Sequence, residues 1–224
     1  MTNTMKKNII KTIITFVLFF NIKFIMKLII LIFGIKKIND SNFTILYLVS
    51  YIIMLILLFF IYKKELIEEW KKFKKNISKN LDIGFKYWLI GLAIMIGSNI
   101  IINMIFGKGQ SNNETAVQSM ITALPIVMLI SAGIIGPIIE EIVFRKSIKN
   151  LIKRKWLFII TSALIFGFVH ITSANDIKQL LFIIPYSALG YAFASMYYET
   201  DTIYTSIVMH QIHNITLTLL SILF

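Results

Sequence analysis

Gly136-Pro137-Ile138-Ile139-Glu140-Glu141-Ile142-Val143-Phe144-Arg145 sets two carboxylates and a guanidinium inside an apolar run that begins near Ile121. A charge at the bilayer centre costs about 2.5–3.5 kcal/mol on insertion scales. Three in one short stretch therefore face other protein, or water held by protein. On a helix, residues four apart share a face while neighbours point about 100° apart. Glu141 then reaches Arg145, and Glu140 stands on the next face, outside that pairing. One carboxylate is neutralised by an ion pair; the other is available as a general base.

The rest of the chain supplies the setting. Hydrophobic residues make up 57% of the 224 positions and mean hydropathy is +0.79, too apolar for a soluble domain of this size. Only helices and closed barrels satisfy backbone groups in lipid, and apolar runs of about 20 residues are helical spans. The expected fold is an all-α polytopic transmembrane bundle. The formal net charge of +12 sits in the gaps between apolar runs, so it reads as membrane topology with anionic lipid as partner, and not as a nucleic-acid surface. With no cysteine, neither a disulfide framework nor a thiol nucleophile is available.

In chain order, a short basic start precedes an apolar run from Ile13 to Ile35 that contains Asn21, Lys23 and Lys27. No small-residue cleavage site follows it, so it is expected to be a retained first span, irregular or tilted. Phe43 to Tyr62 is a cleaner span. From Lys63 to Lys86, Leu66, Ile67, Trp70, Phe73, Ile77 and Leu81 recur at three- and four-residue steps among lysines and glutamates, which predicts an amphipathic helix in the membrane interface. The third span is Tyr87 to Phe106, and Gly107 to Glu114 is a polar loop. The fourth span, from Ile121, carries Pro125, Gly133, Gly136 and Pro137; helix breakers at membrane depth are tolerated where neighbouring helices satisfy the freed backbone groups. Trp156 to Ile171, Leu180 to Tyr198 and Ile203 to Phe224 complete seven spans.

Loop charge gives the orientation. Eight lysines lie from Lys63 to Lys86 and six basic residues from Arg145 to Lys155, against only Lys108 and Lys178 in the loops between spans three and four and spans five and six. The rich loops are expected in the cytoplasm of a multi-pass cell-membrane protein, with the N-terminus inside and the C-terminus outside. Lys36 and Lys37 then fall on the outer side, against the trend. The expected organisation is residues 1–120 as N-terminal membrane helices with the amphipathic connector, and residues 121–224 as a catalytic core.

Polar residues at depth converge in this scheme. Glu140 lies about 14 residues before the basic turn at Lys153–Lys155 and His170 about 16 after it, so at 1.5 Å per residue both stand about 20–25 Å along adjacent antiparallel helices. The last span adds His210 and Asn214 on one face; His213 lies off that face and takes a packing role, as do Phe144 and Phe166. A carboxylate and an imidazole around a trapped water can abstract a proton, and an imidazole with a carboxamide can stabilise an oxyanion, which together is equipment for amide hydrolysis. The same residue types also serve as interhelical hydrogen bonds or as a proton path in a transporter. Against a transporter stands the absence of a second half repeating the Gly/Pro-interrupted charged helix.

Glu140-Glu141-x-x-x-Arg145, Phe166-x-x-x-His170 and His210-x-x-x-Asn214, in order and each on its own span, resemble the three-motif signature of the CPBP family. That family includes type II CAAX prenyl proteases and bacteriocin-processing or self-immunity proteins. The resemblance covers about Ile121 to Asn214. It implies a membrane-embedded endopeptidase opening toward the cytosol, in which Glu140 and His170 activate water, His210 and Asn214 stabilise the oxyanion, and Glu141 and Arg145 hold the geometry. Because His-Glu-x-x-His is absent, the Glu140, His170 and His210 set can be drawn as ligands of a divalent metal such as zinc, or as a metal-free base and oxyanion hole, the drawing preferred here. A Lys-, Ile- and Asn-rich composition suggests an AT-rich bacterial genome, so a peptide or small membrane protein is favoured over a prenylated substrate. The alternative is a non-catalytic bacteriocin immunity or scaffold protein.

Overall fold

A computed structural model describes residues 2–223, and among these every regular element is helical. The helices are α1 (Asn3–Phe20), α2 (Ile22–Phe33), α3 (Asp40–Lys75), α4 (Ile77–Phe106), α5 (Asn112–Ala123), α6 (Pro125–Leu151), α7 (Lys155–His170), α8 (Ile177–Thr200) and α9 (Ile203–Leu223). Five of them, α3, α4, α6, α8 and α9, are long and apolar enough to cross a membrane. The all-α polytopic bundle is thus the observed architecture.

Among the described residues each of the seven expected apolar segments forms helix, the expected last residue Phe224 lying outside them, but the first and fifth differ from a plain span. The first is bent by 58° between α1 and α2. The Asn21 side chain donates back to the Val17 carbonyl, 2.8 Å away, a local bond that competes with helix continuation. The fifth, α7, has 16 residues, about 24 Å of helix against a hydrocarbon core of about 30 Å.

The expected interfacial helix is not a separate element. Lys63–Lys75 continues α3 and Ile77 begins α4, with a break only at Asn76. Lysine and glutamate are good helix formers and nothing before Asn76 interrupts them. Helix α3 runs to 36 residues and so extends beyond the hydrocarbon. Two further differences have local causes. The loop expected up to Glu114 is already helical from Asn112, because the Ser111 hydroxyl accepts from the Glu114 N–H at 3.0 Å, the start of a Ser-x-x-Glu capping pattern. The fourth span starts at Pro125 because the residue before a proline is driven out of the helical region; Leu124 has φ −149° and ψ 82°.

The chain divides into two compact units, each discontinuous in sequence. The first contains α1, α2, α3 up to Ile67, residues from Gln118 through α6, and α9 from His210. Here α1 lies along the C-terminal half of α6: Thr12 donates to the Ser147 carbonyl, and the Phe144 ring meets Phe19 edge-on at 5.0 Å. Lys11 pairs with Glu65 at 2.5 Å, and Thr15 hydrogen-bonds Tyr62.

The second unit contains the remainder, with α8 packed against both α4 and α7. Small residues permit this: a Cβ at Gly91 would stand 2.7 Å from the Ala192 Cβ, and one at Gly190 would stand 3.0 Å from the Ala163 Cα. Leu189, Ala192, Phe193, Met196 and Met209 form its core. At one end the buried Glu69 carboxylate accepts from the Tyr197 hydroxyl (2.9 Å) and from the Ile203 N–H (2.7 Å), satisfying a backbone donor at the start of α9.

Candidate active site

Helix α6 is not uniform. Two single π-turns, Ser131–Ile135 and Ile142–Lys146, flank the α-helical Gly136–Glu141 that carries both carboxylates. The first π-turn follows from Pro137. Its ring collides with a regular preceding turn and it has no N–H to give. The Gly136 N–H goes instead to the Ser131 carbonyl. The Ala132 carbonyl then has no helical donor in either register: the α donor, Gly136, is engaged elsewhere, and the π donor would be Pro137.

Helix α9 fills that gap. The Asn214 carboxamide donates to the Ala132 carbonyl at 3.0 Å, and the Gln211 carboxamide donates to the Ile134 carbonyl at 3.1 Å. The break in α6 and the polar face of α9 are one construction. Gln211 was invisible as a partner from sequence, because carboxamides on a helix face are common and only the packing of α9 on α6 brings this one to the Ile134 carbonyl.

The charges sit one turn further along. Glu141 and Arg145 are fully buried, with Nε and Oε2 3.4 Å apart, as their spacing predicts. Glu141 also does more than support Arg145. Its Oε1 lies 2.9 Å from His210 Nδ1, so this carboxylate bridges a guanidinium and an imidazole. The opposite ring nitrogen, His210 Nε2, faces Glu140 Oε2 at 3.7 Å. Glu140 keeps 16% of its side-chain surface exposed while Glu141 keeps none. The carboxylate expected to act on water is therefore the more accessible of the two. His213 is buried within the same unit.

His170 is built in the second unit, as the last residue of α7. Its Nδ1 lies 2.8 Å from the Phe166 carbonyl one turn back, so with Nδ1–H donating there, Nε2 carries the lone pair. The ring stacks on Tyr186 (centroids 4.5 Å apart, 26° between planes) and contacts Phe166 on α7. The Tyr186 hydroxyl is held by Ser111 at 2.7 Å and by the Asn113 carboxamide at 3.3 Å. Tyr186 and Ser111 come from segments that sequence reading treated as a span and a loop; nothing in their spacing links them to His170.

Of the predicted residues, the first unit brings together Glu140, Glu141, Arg145 and His210, with Asn214 one turn along α9, while His170 belongs to the second. Among the described residues no group of three or more His, Asp or Glu side chains is arranged to hold a metal ion. Both ring nitrogens of His210 already face carboxylates.

A helical chain with several membrane-spanning helices, and a carboxylate–imidazole–guanidinium cluster shared by α6 and α9, is a polytopic membrane protein with a polar centre at depth. Comparison with known proteins agrees with the motifs: residues 122–216, the segment that carries all three, match the model described as "Type II CAAX prenyl endopeptidase Rce1-like". The chain is similar to the "Putative membrane peptidase YdiL" of Bacillus subtilis, 39% identical over 114 residues that make up 49% of this chain and 43% of that protein. It is also similar to the "Membrane-embedded CAAX protease MroQ" of Staphylococcus aureus, 32% identical over 65% of this chain and 59% of that one. The "UPF0177 protein YxdF" of Lactococcus lactis is 26% identical over 65% of this chain and 83% of its own length. The chain thus spans about half the length of the two named peptidases. No solved structure matches it.

Proposed function

We propose that the chain is a membrane-embedded endopeptidase that hydrolyses a peptide bond of a membrane-associated peptide or small membrane protein. The observation that carries this reading is the partly buried Glu140 beside the buried Glu141, Arg145 and His210 on α6 and α9, inside the segment that matches an endopeptidase family. Ionisable residues at membrane depth are expensive to bury and mark functional sites by default.

The roles follow from chemistry and from the motifs. Glu140, accessible and next to an imidazole, takes the proton of an attacking water, with His170 assigned as its partner through the second motif. The water oxygen adds to the scissile carbonyl carbon, and the carbonyl oxygen becomes an oxyanion. His210 gives Nδ1–H to Glu141 and turns Nε2 to the Glu140 side, where that oxyanion forms; its donation there requires the ring to carry both protons, with Glu141 as the counter-charge. Asn214 has a second carboxamide N–H beside the one bound to Ala132 and adds a donor. Collapse of the intermediate breaks the C–N bond, and the proton held by Glu140 passes to the leaving amine. Arg145 balances the charge of Glu141 throughout. The basic segments Lys63–Lys86 and Arg145–Lys155 orient the site toward the cytoplasm.

The test compares peptides released from cells carrying the wild-type chain and cells carrying Glu140→Gln at matched membrane levels. A peptide produced only with wild type identifies both the activity and its client. Identical profiles with function preserved would replace the peptidase with a non-catalytic immunity or scaffold role.

A further inference from the structure

The loop after α4 and the start of α5 precede residues 122–216, yet within the second unit they build part of the surroundings of His170. They are tied to the residues that follow α7. The Asn112 N–H donates to Gln179 Oε1 at 2.8 Å, and the Asn112 carboxamide to the Ser173 carbonyl at 2.8 Å. In return the Gln179 carboxamide donates to the Gln110 carbonyl at 3.1 Å, and Lys178 Nζ to the Gly107 carbonyl at 2.6 Å. On this pinned segment stand Ser111, buried and 2.7 Å from the Tyr186 phenol, and Asn113, whose carboxamide donates to that phenol at 3.3 Å. The Ser111 hydroxyl also accepts from the Glu114 N–H at 3.0 Å. Tyr186 is therefore held at its oxygen while its ring lies against His170, centroids 4.5 Å apart and planes 26° apart.

We infer that Tyr186 is a positioning residue for His170: its ring sets the plane of the imidazole, and Ser111 and Asn113 hold that ring in place through the phenol oxygen. His170 is the last residue of α7. Ile171 already leaves the helical region, with φ −114° and ψ 13°, so no residue one turn further along α7 flanks the imidazole. The bond from Nδ1 to the Phe166 carbonyl, 2.8 Å, holds one atom of the ring and does not by itself set its plane. Phe166 meets the imidazole tilted by 47°, so the near-parallel contact is the one with Tyr186. Phenylalanine at 186 would stack without an anchor, and a serine or asparagine would bond without a stack; tyrosine does both. A group that handles a proton loses rate steeply when misplaced, so the plane of His170 bears on turnover more than on binding. That consequence rests on the peptidase reading, in which His170 partners Glu140; the support of the ring can be tested without a substrate.

The full chain, with isotope-labelled histidine at its three histidine positions, is purified in lipid nanodiscs and observed by NMR. The ring signal missing from His170→Gln is that of His170. In Tyr186→Phe, which keeps the ring and loses the anchor, that signal is expected to move while those of His210 and His213 stay. In the peptide-release assay Tyr186→Phe is expected to turn over about fivefold more slowly at unchanged apparent affinity, as for the loss of one neutral hydrogen bond. The pair Ser111→Ala/Asn113→Ala, which leaves Tyr186 in place, is expected to reproduce both changes. Adding it to Tyr186→Phe is expected to slow turnover no further, because all three residues act through one oxygen. A His170 signal indifferent to Tyr186→Phe overturns the inference, as do losses that add in the combined variant. So does a wild-type rate in Tyr186→Phe where Glu140→Gln is inactive; in each case the peptidase reading stands. Movement of all three histidine signals together with a lower melting temperature would make Tyr186 a general packing residue and also overturn it. If Glu140→Gln releases the same peptides as wild type, the peptidase reading fails and the role of Tyr186 in turnover fails with it, while the histidine signals still decide the support of the ring.

Discussion

Replacing Arg145 by methionine keeps the length and packing of the side chain and removes its charge. The guanidinium Nε stands 3.4 Å from Glu141 Oε2, with both side chains fully buried. At an effective dielectric constant of about 20, that separation corresponds to roughly 5 kcal/mol of attraction. Much of it offsets the desolvation of two ions, so the pair itself contributes little. Removing one partner is different, because it strands a buried carboxylate at a cost of about 3–5 kcal/mol. The contact from Glu141 to His210 at 2.9 Å returns part of this by sharing the charge. Arg145→Met is therefore expected to lower the thermal midpoint by about 10 °C for a chain of this size. The double variant Glu141→Gln/Arg145→Met, with no stranded charge, is expected to recover most of the loss. Thermal unfolding in detergent across the four members of the cycle measures the coupling. If the two single losses simply add in the double variant, Glu141 and Arg145 do not act as a pair and the account of the cluster is wrong.

Asn214→Ala removes both the donor to Ala132 and the proposed oxyanion donor. Turnover is expected to fall more than apparent affinity, with a stability loss of about 1–2 kcal/mol from the freed carbonyl; an unchanged rate removes the oxyanion assignment. Glu69→Ala takes the acceptor from Tyr197 and from the first N–H of α9, and should cost about 2–4 kcal/mol by denaturant unfolding, against about 1 kcal/mol for Tyr197→Phe. Because the chain has no cysteine, single substitutions report topology directly. Lys79→Cys and Lys153→Cys should resist a membrane-impermeant maleimide on intact cells while Lys108→Cys reacts, and the reverse pattern would invert the orientation. The proposed steps use no metal, so dialysis against a chelator should leave peptide release intact. A loss restored by zinc would move Glu140, His170 and His210 to ligand roles.

How legible the site was depended on whether the relevant geometry is local. The Glu141–Arg145 pair follows from helix periodicity, and it is present as expected. Glu140 standing apart from that pair follows from the same 100° step. That Glu141 also reaches His210 could not be read, because it depends on which face of α9 meets α6. Asn214 was legible as a polar residue on the His210 face but not as the donor to Ala132. Only the π-turn forced by Pro137 creates the carbonyl it satisfies. The amphipathic stretch Lys63–Lys86 misled for a related reason: its periodicity is real, but periodicity alone does not tell a separate helix from the continuation of a span.

By itself, then, the sequence determined the membrane setting, the helical class, the broken charged span and the residues from which a site can be built. These follow from transfer free energies and helical repeat, which act within one segment. The tertiary structure decided what lies between segments: the bridge from Glu141 to His210, the hydrogen bonds of Gln211 and Asn214 to α6, and the stacking of His170 on Tyr186. Such contacts depend on how helices rotate and approach, which is set by small residues and packing volumes summed over the whole bundle, and no local pattern of residues encodes that sum.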